Sequence, residues 1–297
     1  MENYSNYPKS FIDLVNEVNK KKNQSDVQYI GVGNPNAKIL IIGKESAINT
    51  KEEEGKKQYK KEFLKNAESW LENIKNNRDL FDADKDEQWK KDINAPINPM
   101  YPYRGQRFVK YYKRKRKKNG VEIEVEVGCG GTSATWYNYQ KIINSMKSIS
   151  LDEARKRTIC FHEYCFSTEF SSATADYSKN VDPTKRDVSI KTRRDGLLND
   201  CFYQRFPIVI VAAGRYPEKF NINLDELFGV HLVGIIDKKQ DSGLKRNWLK
   251  VYREADDKMS HKLLIHTNQL SIGITDKLIE TIAEKCDDFI KMYNIKL

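Results

Sequence analysis

Five cysteines in 297 residues, none of them paired as Cys-x-x-Cys, are too few and too scattered for a disulfide framework or a zinc ribbon. Cys129, Cys160, Cys165, Cys201 and Cys286 are expected to be reduced, small core residues. No stretch approaches the roughly 18 consecutive apolar residues of a membrane span. Residues 1–22 alternate Tyr, Asn and Lys with apolar side chains where a signal peptide carries a continuous apolar core. A cytoplasmic protein with no membrane partner is therefore expected. HExxH, GxxxxGKS/T and GxSxG are all missing, which removes the usual support for zinc peptidases, P-loop enzymes and α/β-hydrolases. No cofactor or metal signature is present, and there is no internal repeat.

What the chain does carry is aromatic residues and positive charge. Sixteen Tyr, 12 Phe and 4 Trp within 39% hydrophobic residues are too many for a disordered chain. A chain this long can bury roughly 70 to 75% of its unfolded surface. Lys and Arg number 52 against 42 Asp and Glu, a net +10 that points towards polyanions such as nucleic acid. The excess is uneven. Residues 1–150 hold 28 basic and 20 acidic side chains, net +8, and residues 151–297 hold 24 and 22, net +2.

The segment from Arg107 to Lys118 has eight positive charges and no negative one, equal to the whole excess of the first half. It runs into Asn119-Gly120, a strong two-residue hairpin turn signal, and then into the alternation Val121-Glu-Ile-Glu-Val-Glu-Val127. A two-residue turn sets Lys118 opposite Val121. Lys117, Lys115 and Lys113 then fall opposite Glu122, Glu124 and Glu126, while Lys118, Arg116, Arg114 and Tyr112 face Val121, Ile123, Val125 and Val127. The hairpin keeps a net +5. Two readings stand side by side: a solvated edge hairpin whose lysines oppose aggregation, or an arm that contacts phosphates through Arg114, Arg116 and Lys118.

Elsewhere, helical patterns alternate with short apolar runs. Phe11, Leu14, Val15 and Val18 predict a first helix, and Lys38–Gly43 (KILIIG) a buried strand. Residues 50–77 form a charged amphipathic helix, and 79–107 a long loop. Thr132 or Ser133 caps a helix carrying Trp136, Ile142, Ile143 and Met146. Residues 157–167 read as a strand, 187–206 as helix, 207–214 (PIVIVAAG) as a buried strand, and 231–237 and 262–266 as further strands. A final helix spans 275–293. This order predicts an α/β fold: a three-layer α/β/α sandwich around a central, mainly parallel four-stranded sheet, with the basic β-hairpin inserted. All 297 residues are assigned to one such domain, the insertion covering about 50–131.

In such sheets, ligands bind at the carboxyl ends of the strands. Two polar segments follow predicted strands there: Gly43-Lys44-Glu45-Ser46-Ala47 and His266-Thr-Asn268-Gln269-Leu270-Ser271. A carboxylate and a histidine on that edge could offset a developing cation on one side and a leaving anion on the other. His231 and His261 are read as structural.

The frame Gly33-Asn-Pro-Asn-Ala-Lys-Ile-Leu-Ile-Ile-Gly43-Lys44-Glu45 resembles the first motif of the uracil-DNA glycosylase superfamily, an apolar strand delivering a glycine and an acid. The frame Leu263-Leu-Ile-His266-Thr-Asn-Gln-Leu270-Ser271 is similar to its second motif, and Phe206–Gly214 to its third strand. The resemblance runs over most of residues 30–295. It implies a monomeric, cofactor-free and metal-free enzyme that binds DNA and hydrolyses the N-glycosidic bond of a flipped-out nucleotide. In that scheme Glu45 orients water or offsets the sugar cation, and His266 hydrogen-bonds the leaving base as a neutral imidazole. Leu270 fills the vacated stack, and Asn268, Gln269 and Ser271 contact flanking phosphates. Lys44, Ser46 and Ala47 border the base. Flipping costs roughly a few kcal/mol, and a leucine wedge has precedent in proteins that kink DNA.

The departures carry information too. Lineages of the family with an acid here often follow it with proline and a bulky tyrosine, where this chain has Ser46 and Ala47, so a wider pocket tolerant of 5-substituted pyrimidines is expected. The asparagine expected at the end of the second strand is replaced by His162 or Glu163, with Phe166, Tyr164 or an aromatic from Tyr101 to Tyr103 a candidate to stack on the base. These departures keep an alternative open, a protein on the same fold that recognises a modified or extruded base without excising it.

Overall fold

A computed structural model describes residues 6–21, 25–79, 98–102, 112–118, 121–127, 133–150, 153, 159–254, 261–271 and 273–297. Helix α1 (Lys9–Lys20) starts after Pro8 and buries Phe11, Leu14, Val15 and Val18, the one-sided spacing of an amphipathic helix. A short helix, α2 (Ser25–Gln28), precedes strands β1 (Val32–Gly33) and β2 (Ile39–Gly43). The charged stretch then forms α3 (Glu53–Tyr59), a π-helical turn (Lys60–Leu64) and α4 (Asn66–Lys75), whose Trp70 is wholly buried.

Among the described residues, strands β3 (Tyr112–Lys118) and β4 (Val121–Val127) pair only with each other, antiparallel, with Lys118 opposite Val121 and Lys113 opposite Glu126. That register agrees with the one the Asn-Gly turn requires. Helix α5 (Ala134–Met146) is capped by Ser133, whose Oγ accepts from the Trp136 amide. A 3-10 turn (Phe161–Glu163) leads into β5 (Cys165–Glu169). Then come α6 (Pro183–Thr192), a π-helical turn (Arg193–Leu197), α7 (Cys201–Gln204), β6 (Ile208–Val211), α8 (Tyr216–Lys219) and α9 (Leu224–Phe228). Strands β7 (Val230–Ile236), β8 (Leu249–Glu254) and β9 (Leu263–Thr267) and helix α10 (Asp276–Tyr293) complete the described chain.

Among the described residues, the main sheet has seven strands in the order β1-β5-β2-β6-β9-β8-β7. Strands β5, β2, β6 and β9 are mutually parallel, and β1, β8 and β7 add antiparallel edges. The expected four-stranded sheet is thus the parallel centre of a mixed seven-stranded one. β8 escaped prediction because Lys250, Arg253 and Glu254 interrupt its apolar residues, and β1 because it is two residues long.

The strand expected over 157–167 begins only at Cys165. The carbonyls of His162 and Glu163 are bonded by Asn34, through its backbone N at 2.9 Å and its Nδ2 at 2.9 Å, so they belong to a turn that needs no sheet partner. Residues 154–158 lie outside the described residues, as do 80–97 and 103–107 of the expected loop and 108–111 of the basic segment.

Alternation along the strands divides the core in two. Leu40, Ile42, Phe166, Val209, Val211 and Leu264 pack with Phe11 of α1 and Trp70 of α4. Ile39, Ile41, Cys165, Ile208, Ile210 and Ile265 pack with α5 and α10 through Tyr139, Ile142, Ile282 and Phe289. Among the described residues, no helix is long and apolar enough to cross a membrane.

Candidate functional site

Counted in chain order, the four parallel strands lie as second, first, third, fourth. From β2 the chain crosses first to β5 on one side and later to β6 on the other, so the order reverses between β2 and β6. Connections diverge there and leave a crevice at the carboxyl ends of the strands.

The crevice is filled by residues that follow β2 and β6. The Tyr216 hydroxyl donates to Glu45 Oε2 and lies 3.3 Å from Ser178 Oγ. Burial, reinforced by the Glu45 carboxylate, raises the Tyr216 phenol well above its ordinary range, so it remains a donor. Lys44 Nζ stands 5.0 Å from the Tyr216 ring centroid. Burial lowers the Lys44 ammonium from its usual range, with Glu45 opposing and Lys219 and Arg186 adding to the shift. Gly214 turns the chain after β6 with φ +58, a conformation that favours glycine, and a Cβ there would lie 3.5 Å from Lys44 Cε.

His266 is the penultimate residue of β9 and is 1% exposed. Its Nε2 lies 2.6 Å from the Gly214 carbonyl oxygen. A carbonyl only accepts, so Nε2 carries the proton and Nδ1 is the bare nitrogen. Nδ1 has no hydrogen-bond partner among the described residues and sits 4.0 Å from Glu218 Oε1. Trp248 meets the ring edge-on at 4.9 Å. Burial lowers the imidazole below its ordinary range, against the Gly214 carbonyl and Glu218, while Lys250 adds to the lowering. His266 is a neutral imidazole whose single N–H is committed inside the protein.

Glu45 and His266 therefore share the carboxyl edge of the parallel strands but stand on β2 and β9, with β6 between them. Ser46 lines a pocket one strand away, and Ala47 is exposed.

Leu270 is wholly buried against α10 and the β9 face, and Asn138 Nδ2 holds its carbonyl at 3.3 Å and that of Ser271 at 2.9 Å. A wedge must protrude, so the expectation for Leu270 is corrected: it is a core residue. Asn268 Oδ1 accepts from the Trp248 amide at 2.8 Å, and the Gln269 amide lies 3.6 Å from where a Cβ on Gly214 would stand. Both side chains and Ser271 are part-exposed.

Phe166 is also wholly buried, its ring among Phe11, Trp70, Phe202 and Phe206, which leaves no free face for a base. His162 and Glu163 precede β5 and lie at the opposite, amino end of the parallel strands from Glu45. His162 is packed on Phe161 at 3.8 Å and Trp136 at 4.9 Å, and burial drives its imidazole down to about 3. Arg114, Arg116 and Lys118 occupy one face of β3 opposite Val125, Ile123 and Val121.

The residue that sequence reasoning missed is Glu169. It ends β5, in register with Gly43 at the end of β2. Its carboxyl lies against Gly43 so closely that a Cβ there would fall 2.9 Å from Cδ and nearer still to Oε2. Oε2 is sealed and has no hydrogen-bond partner among the described residues. Burial, with the Glu45 charge adding and the Arg193 guanidinium opposing, pushes the carboxyl up to about 8. At neutral pH it is a carboxylic acid.

Arg193 does not neutralise it by contact. Its guanidinium is spent on the carbonyls of Asp26, Tyr29 and Glu169 and on Thr168 Oγ1, at 2.7 to 2.9 Å. Glu169 helps to line a pocket of about 610 Å³, open solvent included, with Ser46, Phe63, Trp136 and Tyr139 among its walls. A strand ending at Ser167 puts Glu169 in a loop, which is why the pattern hides it. The segment CFSTEF, strand-like and bounded by Phe on both sides of its acid, is the signal that could have found it.

Compared with protein families, curated proteins and solved structures, the chain matches none.

Proposed function

We propose that this protein is a DNA glycosylase that hydrolyses the N-glycosidic bond of a flipped-out uracil, damaged or 5-substituted base. The supporting fold is a three-layer α/β/α sandwich with the parallel strands β5, β2, β6 and β9 at its centre. One observation carries the reading: Glu169 ends β5 in register with Gly43 at the end of β2, Glu45 follows Gly43 by two residues, and Glu169 lines a part-aromatic pocket. Neighbouring strands run about 4.8 Å apart, and a carboxyl pair in unlike environments is what glycosidic hydrolysis uses.

Glu45, oriented by the Tyr216 hydroxyl, activates water and offsets the charge that builds on the sugar. Lys44, less hydrated than a surface lysine, faces the same crevice and suits a phosphate or sugar oxygen. The β3–β4 hairpin, net +5 with its flanking basic residues, supplies the phosphate-contacting arm. The neutral base lies in the pocket that Ser46 and Glu169 border.

The experiment is excision from oligonucleotides bearing single modified bases, read as alkali-labile abasic sites. Wild type should cleave at least one of them, and Glu45→Gln should be slower by about 100-fold or more. Equal rates for the two proteins would remove Glu45 from the chemistry.

A second reading has its own support. With the His266 N–H committed to Gly214 and Leu270 buried, two devices expected of an excising enzyme are missing from its surface. A protein that binds an extruded or modified base without cutting it fits those facts. Tight, base-dependent binding that survives Glu45→Gln, with no abasic product from any substrate, would select it.

A further inference from the structure

We infer that Glu169 is the proton donor to the departing base. The inference rests on the glycosylase reading and departs from the histidine-based scheme that the sequence suggested. A leaving base carries away the electron pair of its glycosidic nitrogen and needs a proton or a donor. His266 is badly placed to supply one, because its only N–H points at the Gly214 oxygen 2.6 Å away and its ring is sealed. Glu169 is sealed at Oε2 too, but it borders the pocket, and that oxygen has no hydrogen-bond partner among the described residues. Glu45 follows Gly43, the register partner of Glu169, by two residues and its charge acts on the Glu169 carboxyl, so the two carboxyls can serve the two sides of one bond.

The C1′–N bond breaks with its electron pair going to the base, and the Glu169 proton passes to the base as that charge forms. Water adds to C1′ and gives its proton to Glu45. Glu169 ends as a carboxylate and is reprotonated from solvent, Glu45 returns its proton to solvent, and the net reaction consumes one water.

The groups around the carboxyl are compatible with this. Glu45 from the β2 end raises Glu169, and Arg193 from the turn after α6 lowers it. Tyr29 before β1 and Tyr139 on α5 both sense the Glu169 charge, and burial lifts both phenols well above their ordinary range, so neither titrates near neutrality. Lys61 and Glu62 of the π-helical turn after α3 complete the charged wall. The acid is thus loaded at neutral pH and discharged above about 8.

Gly43 leaves the space in which the carboxyl lies flat on the strand, since a methyl group there would collide with it. Gly43→Ala should therefore act like a change at Glu169 itself, without touching any titratable atom.

The test is single-turnover excision of 5-fluorouracil, uracil, thymine and 5-hydroxymethyluracil from otherwise identical oligonucleotides, at pH 6 to 10, by wild type, Glu169→Gln, Glu169→Asp and Glu45→Gln. Thermal unfolding of each variant checks that it folds. Glutamine keeps a hydrogen-bond donor in place but cannot surrender a proton. We expect the wild-type rate to fall above pH 8. Glu169→Gln should lose that alkaline limb and be slowed about 100-fold or more on thymine, with a smaller defect on 5-fluorouracil, whose base leaves more readily. Glu169→Asp should recover part of the rate. A Glu169→Gln defect equal on every base, or none at all, overturns the proton-donor role while leaving the glycosylase reading intact. Absence of excision of every base by wild type overturns both.

Discussion

The Nε2–H of His266 is donated to the carbonyl of Gly214, 2.6 Å away, and this bond ties the end of β9 to the turn that follows β6. A histidine at a strand end is thereby part of the scaffold of the crevice. Its proton is a structural one.

Removing that bond should be costly to the fold. We predict that His266→Ala loses about 1 to 3 kcal/mol of stability, because the buried imidazole and its hydrogen bond to the part-buried Gly214 oxygen are lost together. Urea unfolding measures it, and an unchanged midpoint would mean that the imidazole is free to serve a ligand.

Leu270 offers a sharper choice between surface and core. Its side chain is fully buried among the residues that join α10 to the sheet. Leu270→Ala is predicted to cost about 2 to 5 kcal/mol, the range for a truncated core leucine. A wedge standing free in solvent would cost almost nothing, so a loss below about 0.5 kcal/mol returns Leu270 to the DNA interface.

Glu169 makes the fold sensitive to base. Its folded-state carboxyl titrates near 8, above the ordinary carboxylate range, so between about 4.5 and 8 the native state holds a proton that the unfolded state has lost. Relative to an ionised carboxyl, this group contributes most at low pH, and stability declines as pH rises through that window, by about 1.4 kcal/mol per pH unit at its steepest. Glu169→Gln should flatten the decline, making the variant more stable than wild type at pH 8 and no more stable at pH 4. Parallel unfolding curves for the two proteins across that range would contradict it.

The basic arm is testable by salt. Replacing Arg114, Arg116 and Lys118 together by alanine should weaken binding to any duplex and reduce the slope of log affinity against log salt by about 0.9 for each phosphate that the arm neutralises. Fluorescence anisotropy at several salt concentrations reads the slope. An identical slope assigns the hairpin to solvent.

Much of the framework could be read from the chain. KILIIG and PIVIVAAG are continuous apolar runs, which strands covered on both faces require, and they became β2 and β6. The Asn-Gly signal in the sequence implied one hairpin register, and β3 and β4 pair in that register. The last helix, from its Thr275 cap to Tyr293, follows from a 3.6-residue apolar stripe.

The candidate site was only half legible. Glu45 and His266 were found because acids and histidines after strands stand out, and both do lie on the carboxyl edge. Phe166 and Leu270 look the same in sequence whether they face a ligand or a core. Glu169 stayed hidden because β5 starts and ends later than its apolar pattern suggests, with Asn34 taking the carbonyls of the preceding turn.

Composition and periodicity were enough to establish an α/β chain with a basic hairpin and two polar strand ends, since the burial of apolar faces follows local spacing. The antiparallel edges and the reversal of strand order between β2 and β6 came from the tertiary fold. So did the bond that sets the proton of His266 on Gly214 and the uncharged state of Glu169. Those depend on which groups meet across distant segments, and on how much water is left between them.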